Sequence, residues 1–382
     1  MAAALVTGAV SEAATGGRVS AAPDTVTDFV YVSGAGSSHI EGFAVTESGR
    51  LRPIPGAEVA TSFGAATLRP SVVKRTLYAL GAVPNPAVFV YRIGDDGGLT
   101  RIATVKLPAA RTGGAPAPIG VSVSPTGSSM AVVYGPHPQG GGLIQGFSLD
   151  DRGIPTARGA ARPVSSLPIP TAAPLPQSVF SPDGENVYVS QYMSGGIGRF
   201  DVRRDGSLSP AREVESGPLA AVNPTFTPNG KFLYTAAEGR PGIGAYRVSG
   251  SGRLTQLAGS PFAPQGLVPH GISIAPNGKF LYAPDALGNS TWGYRIGADG
   301  RLAPLPGAPY PGRPSPVMSG QNWVTGDGSR LVTVDILGTQ DAPHSTLRSY
   351  RIRKDGSLVR VPGGVSSSLI GSIGSTIVPA QN

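Results

Sequence analysis

The sequence predicts an all-β protein, a seven-bladed β-propeller of four-stranded blades, and three observations predict it. First, residues 224–257 hold four short runs, 225–227, 232–236, 243–248 and 254–257, rich in β-branched and aromatic residues. Pro-Asn-Gly-Lys, a glycine-rich loop and Ser-Gly-Ser-Gly-Arg separate them, and such breaks turn successive runs into an antiparallel meander. Second, the same grammar returns at 177–210 and 269–305, and a period of roughly 45 residues with four strands per unit is that of propeller blades. Third, the first unit, 28–56, offers three runs, while a spare β-rich run at 366–379 ends the chain. Joined, they make one complete blade, so the C-terminal strand should close the ring against the first blade and leave no open sheet edge.

Taken in order, residues 1–25 fit no blade. A short apolar run at 2–10 followed by small-residue stretches resembles the late part of a secretory signal without its positively charged start, or else an Ala/Gly tail. We take the export reading, which expects a secreted or periplasmic protein and leaves a cytoplasmic one open. Residues 26–382 are expected to form a single propeller domain. Its second unit starts at Phe63, its third at Ile119, the fourth to sixth are those above, and the seventh runs from Asn322 to about Gly364. The totals of 55 Gly and 38 Pro fall between the strand-like runs and therefore read as turn chemistry.

The recurring small motifs have structural readings. Pro-Thr/Asp/Asn-Gly after Ser124, Ser181, Thr227 and Ala275 marks turns between first and second strands, with glycine supplying the positive φ. Asp-Gly at 96–97, 205–206, 299–300 and 355–356 marks hairpins between third and fourth strands, and none carries the D-x-D-x-D-G run of a calcium loop. Tyr-Arg at 91–92, 246–247, 294–295 and 350–351 reads as blade packing followed by an edge charge.

The formal charge is +8, but the basic residues are scattered one or two per blade without an interleaved aromatic platform, which argues against a nucleic-acid partner. With no cysteine, disulfides and thiolate metal sites are excluded. No apolar run approaches the ~20 residues of a membrane-spanning helix. The four histidines form no local metal motif, and neither a metal nor a cofactor is expected. We expect a monomer.

In a propeller, the start of each first strand and the end of each second strand meet on one face beside the axis. Counting back from a turn at 276–279 sets His270 opposite Asp285, and the equivalent positions in the fifth unit are Asn223 and Glu238. The same face should carry His39, Glu41, His137, Gln177, Gln191, Asn322 and Asp335, with Arg240 and Arg313 in nearby loops. Carboxylates, a histidine and arginines around one funnel could activate water and stabilise an oxyanion. A structural role, with the His270–Asp285 pair merely pinning a blade, is the competing reading.

The phrases SPDGENVYVSQY, GIGRFDV and DGSLS of the fourth unit and PNGKFLYTAAE, GIGAYRV and GRLTQL of the fifth resemble the lactonase family of seven-bladed propellers. That family includes the propeller-type 6-phosphogluconolactonase and the fungal carboxymuconate cyclases, and the resemblance runs over about residues 28–379. It implies a small-molecule ligand, a lactone, and hydrolysis at the funnel. Carried over position by position, the family's Asn-Glu at the end of the fifth blade's second strand is matched by Ala237-Glu238. Pro176-Gln177 stands where the family has a histidine, Val222-Asn223 where it has Arg-His, and Asp285-Ala286-Leu287 where it has Asn-Arg-Gly. Two expectations follow. In one, Glu238, His270 and Asp285 are catalytic, with Arg240, Asn223, Gln177, Gln191, Asp335, Arg313 and His39 binding the ligand. In the other, the propeller is a non-catalytic extracytoplasmic scaffold for a protein or a cell-surface polymer.

Overall fold

The computed structural model describes residues 24–34, 37–61, 67–81, 85–107, 117–135, 142–164, 177–191, 196–215, 217, 220–239, 242–262, 266, 268–312, 318–337 and 344–380. Among them there is no helix, and the strands form seven antiparallel sheets. The fifth sheet is typical: Ala221–Phe226, Phe232–Ala237, Gly242–Val248 and Leu254–Gln256 follow one another from the axis outwards. The ring closes as the sequence predicts. Ser372–Pro379 pairs with Val26–Gly34, in register from Asp28 opposite Pro379 to Ser33 opposite Gly374, and His39–Thr46 and Leu51–Pro53 complete that blade. The leader up to residue 23 lies outside the described residues.

The order of burial within a blade explains its composition. Second strands such as Thr76–Gly81 and Phe232–Ala237 are buried at every residue, because a neighbouring blade covers each of their faces. A strand covered on both sides tolerates a continuous apolar run. Fourth strands face solvent; Pro155–Pro163 is mostly exposed and carries two arginines. The core is therefore a set of inter-blade clusters, as where Val30, Val32 and Phe43 of the first blade meet Val332, Val334 and Leu347 of the seventh.

A repeated latch joins the blades. The hydroxyls of Tyr31, Tyr78, Tyr188, Tyr234 and Tyr282, all in second strands, donate to the carbonyls of Gly97, Gly153, Gly252, Gly300 and Gly356 at 2.6–2.7 Å. Each acceptor sits in the third-to-fourth-strand hairpin of the next blade. Gly300 shows why glycine is needed there: its φ is +88°, and a Cβ would lie 2.4 Å from the Phe232 ring. The Asp side chains of these hairpins are consumed locally; Asp96, Asp205, Asp299 and Asp355 accept the backbone N–H two residues on at 2.9–3.1 Å. The Tyr-Arg pairs divide as expected, with buried Tyr246 and Tyr294 beside exposed Arg247 and Arg295. Those two guanidiniums also stack over Phe232 and Phe280 at 5.2 and 5.3 Å.

Candidate functional site

The first strands surround a narrow axial channel. A cavity of about 120 Å³ is lined by residues from every blade, among them Arg69, Gln177, Asn223, His270 and Gln321. Hydrogen bonds link the channel wall across the blades. The Asn223 backbone N–H donates to Gln177 Oε1 at 2.6 Å, and the Asn223 side chain donates to the His270 carbonyl at 3.1 Å. Asn223 can do both because the ladder is interrupted between Val222 and Thr225 and its φ is +50°, a left-handed conformation that asparagine tolerates. One residue thus ties the fourth, fifth and sixth blades together.

Glu238 and His270 meet at this mouth. Glu238 follows directly on the buried strand Phe232–Ala237, and its backbone N–H donates to the Ala220 carbonyl at 3.1 Å. His270 enters from the neighbouring blade, fixed by its N–H on the Pro284 carbonyl at 3.1 Å. The side chains meet at His270 Nδ1 and Glu238 Oε1, 2.5 Å apart, with exposures of 33% and 14%. The carboxylate is sheltered while the ring reaches the cavity. A neutral imidazole donating from Nδ1 to the carboxylate keeps Nε2 as a proton acceptor, and among the described residues nothing else bonds that nitrogen.

The pairing predicted for His270 is corrected by the register. Ser273 faces Tyr282 and Ile274 faces Leu281, but the ladder slips by one residue further back, so Asp285 bridges Pro269. Asp285 is buried, and its Oδ1 accepts the backbone N–H groups of Val268 and Gly288 at 2.9 and 3.0 Å. It fixes the segment that carries His270 and does not face the ring as a partner.

The other predicted positions separate. Gln177 and Asn223 line the channel. Asp335 is drawn away from it into a buried ion pair with Arg348, at 2.7 Å and with exposures of 1% and 3%. Gln191 is buried, its amide donating to the Val164 carbonyl at 3.1 Å. His39 begins a third strand further from the axis, 3.8 Å from Glu41, and is not part of the channel lining. Asn322 is buried in the seventh blade. Arg240, Arg313 and His137 lie outside the described residues. Arg69, which sequence reasoning did not single out, stands on the channel wall; a charged residue within a first strand, Thr67–Ser71, was the available signal.

A wider cavity, about 970 Å³, lies on the opposite face, between the hairpins of the fourth and fifth blades. It is an open groove, and charges along it are already engaged: Arg212 pairs with Asp201 at 2.8 Å, and Arg203 donates to the Leu208 carbonyl at 2.9 Å. Among the described residues it is lined by no histidine, so the smaller axial cavity is the better site for proton-transfer chemistry.

Comparisons with known proteins agree with the seven-bladed fold. A 6-phosphogluconolactonase of Yersinia enterocolitica is 24% identical over 233 residues, 59% of this chain and 62% of that enzyme, so the match spans less than two thirds of the enzyme's length. The periplasmic gluconolactonase PpgL of Pseudomonas aeruginosa superposes with a TM-score of 0.74 at 16% identity, over 94% of this chain and all of that one. A 6-phosphogluconolactonase-like protein of Bacteroides uniformis gives 0.74 at 21% identity, over 93% of this chain and all of its own. At these identities the superpositions speak for the fold alone. The family described as Lactonase, 7-bladed beta-propeller matches residues 25–314, most of the ring described above, and the chain belongs to that family.

Proposed function

We propose that the chain hydrolyses a small lactone at the axial mouth, with His270 as general base and Glu238 as the carboxylate that orients it. The observation that carries this reading is the 2.5 Å contact between His270 Nδ1 and Glu238 Oε1. His270 Nε2 takes a proton from a water molecule as the water oxygen attacks the lactone carbonyl. The tetrahedral intermediate collapses with cleavage of the ring C–O bond, and the imidazolium returns its proton to the leaving alkoxide. One water is consumed and a hydroxy acid is released. Glu238 stabilises the imidazolium while it exists, as the carboxylate of a hydrolase triad does. Asp285 acts at one remove, by holding the strand.

Glu238 stands at the position the family resemblance carries over, whereas His270 comes from a neighbouring blade, so the base is supplied from a different place. The leader read as an export segment, together with the periplasmic location named for the Pseudomonas neighbour, supports an extracytoplasmic site of action.

The test is a double-mutant cycle on lactone turnover. His270→Ala and Glu238→Ala should each lower kcat by roughly 10²- to 10⁴-fold, the range for one general base. The double variant should be little worse than either single one, because the two act as a unit. Losses that multiply would dissolve the pair, and an unchanged rate in either single variant would remove it from the chemistry.

A further inference from the structure

The channel contains a cation that the dyad does not use. Arg69 lies mid-strand in the second blade, and its Nη1 donates to the Leu68 carbonyl at 2.9 Å. Among the described residues no carboxylate comes within ion-pairing distance of it. Arg69 as a residue is half-buried on the channel wall, and the protein packed around its guanidinium pushes its pKa down to about 10. It remains charged at neutral pH, with most of its five donors uncommitted.

The neighbouring groups are donors too. Gln177 Oε1 accepts the Asn223 N–H, and Gln321 Oε1 accepts both the N–H and the hydroxyl of Ser375. Because a backbone N–H can only donate, the oxygen end of each carboxamide is fixed, and its NH₂ is the end left over. Among the described residues the cavity lining contains no Asp or Glu. A charge enclosed without a partner is costly, and an anion relieves that cost. The cavity is narrow, about 120 Å³, and sets Arg69, Gln177 and Gln321 on one wall with His270.

We propose that Arg69, with the amides of Gln177 and Gln321, forms an oxyanion site in the axial channel that holds the carboxylate or phosphate of the ligand. The lactone ring then stays at the mouth, against His270. That the anion belongs to the substrate rests on the hydrolase reading; the anion site itself does not.

The experiment is calorimetric titration of the full chain with inorganic phosphate and, separately, with acetate, comparing wild type, Arg69→Met and Arg69→Lys. Wild type should bind one of the two probes, and the probe bound identifies the group. Arg69→Met should weaken that binding at least tenfold. Arg69→Lys, which keeps the charge and loses the fork, should fall between them and serves if the methionine variant does not fold. Failure of wild type to bind either probe, or equal binding by both variants, overturns the proposal. A parallel assay of δ-gluconolactone and its 6-phosphate separates the two readings. Anion binding without turnover of either lactone leaves the site standing and removes the hydrolase. Turnover whose KM for the phosphorylated lactone is unmoved by Arg69→Met leaves the hydrolase standing and removes the substrate's anion from this site.

Discussion

Asp335 and Glu238 are both carboxylates at the far end of a second strand, and their neighbours give them different work. Asp335 meets Arg348 from the adjoining strand and is sealed with it at 1% exposure; Glu238 meets an imidazole that reaches the channel. Breaking the sealed pair strands a buried guanidinium. Asp335→Asn should therefore cost about 3–5 kcal/mol in chemical unfolding, with little change in substrate affinity. A shift below about 1 kcal/mol would mean the pair is not sealed. The same comparison shows what the sequence could disclose about the site. Glu238, His270, Gln177 and Asn223 were legible, because their distance from a recognisable turn sets them at the channel. Their partners were not. Counting back from the turn assumes an unbroken ladder, and the slip behind Ser273 turns Asp285 from a facing partner into an anchor. The interruption at Asn223 is likewise invisible in a pattern of alternation.

The element that organises the blade interfaces is the tyrosine latch. Its regular occurrence depends on a hydroxyl reaching across to a hairpin whose glycine lets the chains approach. Two interfaces lack it: Ala131 and Val332 stand at the corresponding positions of the third and seventh blades, and at the second of these Arg330 donates instead to the Glu47 carbonyl. Each Tyr→Phe change in the latch should cost about 0.5–1.5 kcal/mol, leaving a turn carbonyl without its donor. Burial also raises these phenols, Tyr78 and Tyr188 to about 12 from an ordinary 10.0, and Tyr31, Tyr234 and Tyr282 in the same direction. The folded state thus holds protons that the unfolded state releases first. This stabilisation is fully present below pH 10 and is lost as pH climbs through about 12. Thermal midpoints measured across that window should fall steeply, and less steeply in the phenylalanine variants; parallel curves would contradict the assignment. The strand grammar was plain in the sequence, whereas the latch was not, since a tyrosine among apolar residues looks like any other core aromatic.

At the scale of the whole molecule, the ring is held by its last strand. Removing residues 372–382 would uncover Val26–Gly34, a nine-residue edge with unpaired backbone groups. The shortened chain should melt more than about 10 °C lower and scatter light as it associates; an unchanged melting point and a monodisperse solution would mean closure contributes little. The spare run at the end of the sequence and the incomplete first unit made this closure legible in advance. Closure also brings the first strands into one wall, and on that wall residues far apart in sequence, Arg69, Gln177, His270 and Gln321, become neighbours. Position in the chain says nothing of that, which is why Arg69 emerged only with the fold.

The central claim is that this wall carries a working hydrolase. It is tested most directly by the turnover of γ-, δ- and sugar-acid lactones by the purified chain against His270→Ala, corrected for spontaneous opening. We predict hydrolysis of at least one lactone, reduced by roughly 10²- to 10⁴-fold in the variant. Equal rates for wild type and variant on every lactone would contradict it and leave the ring a binding scaffold.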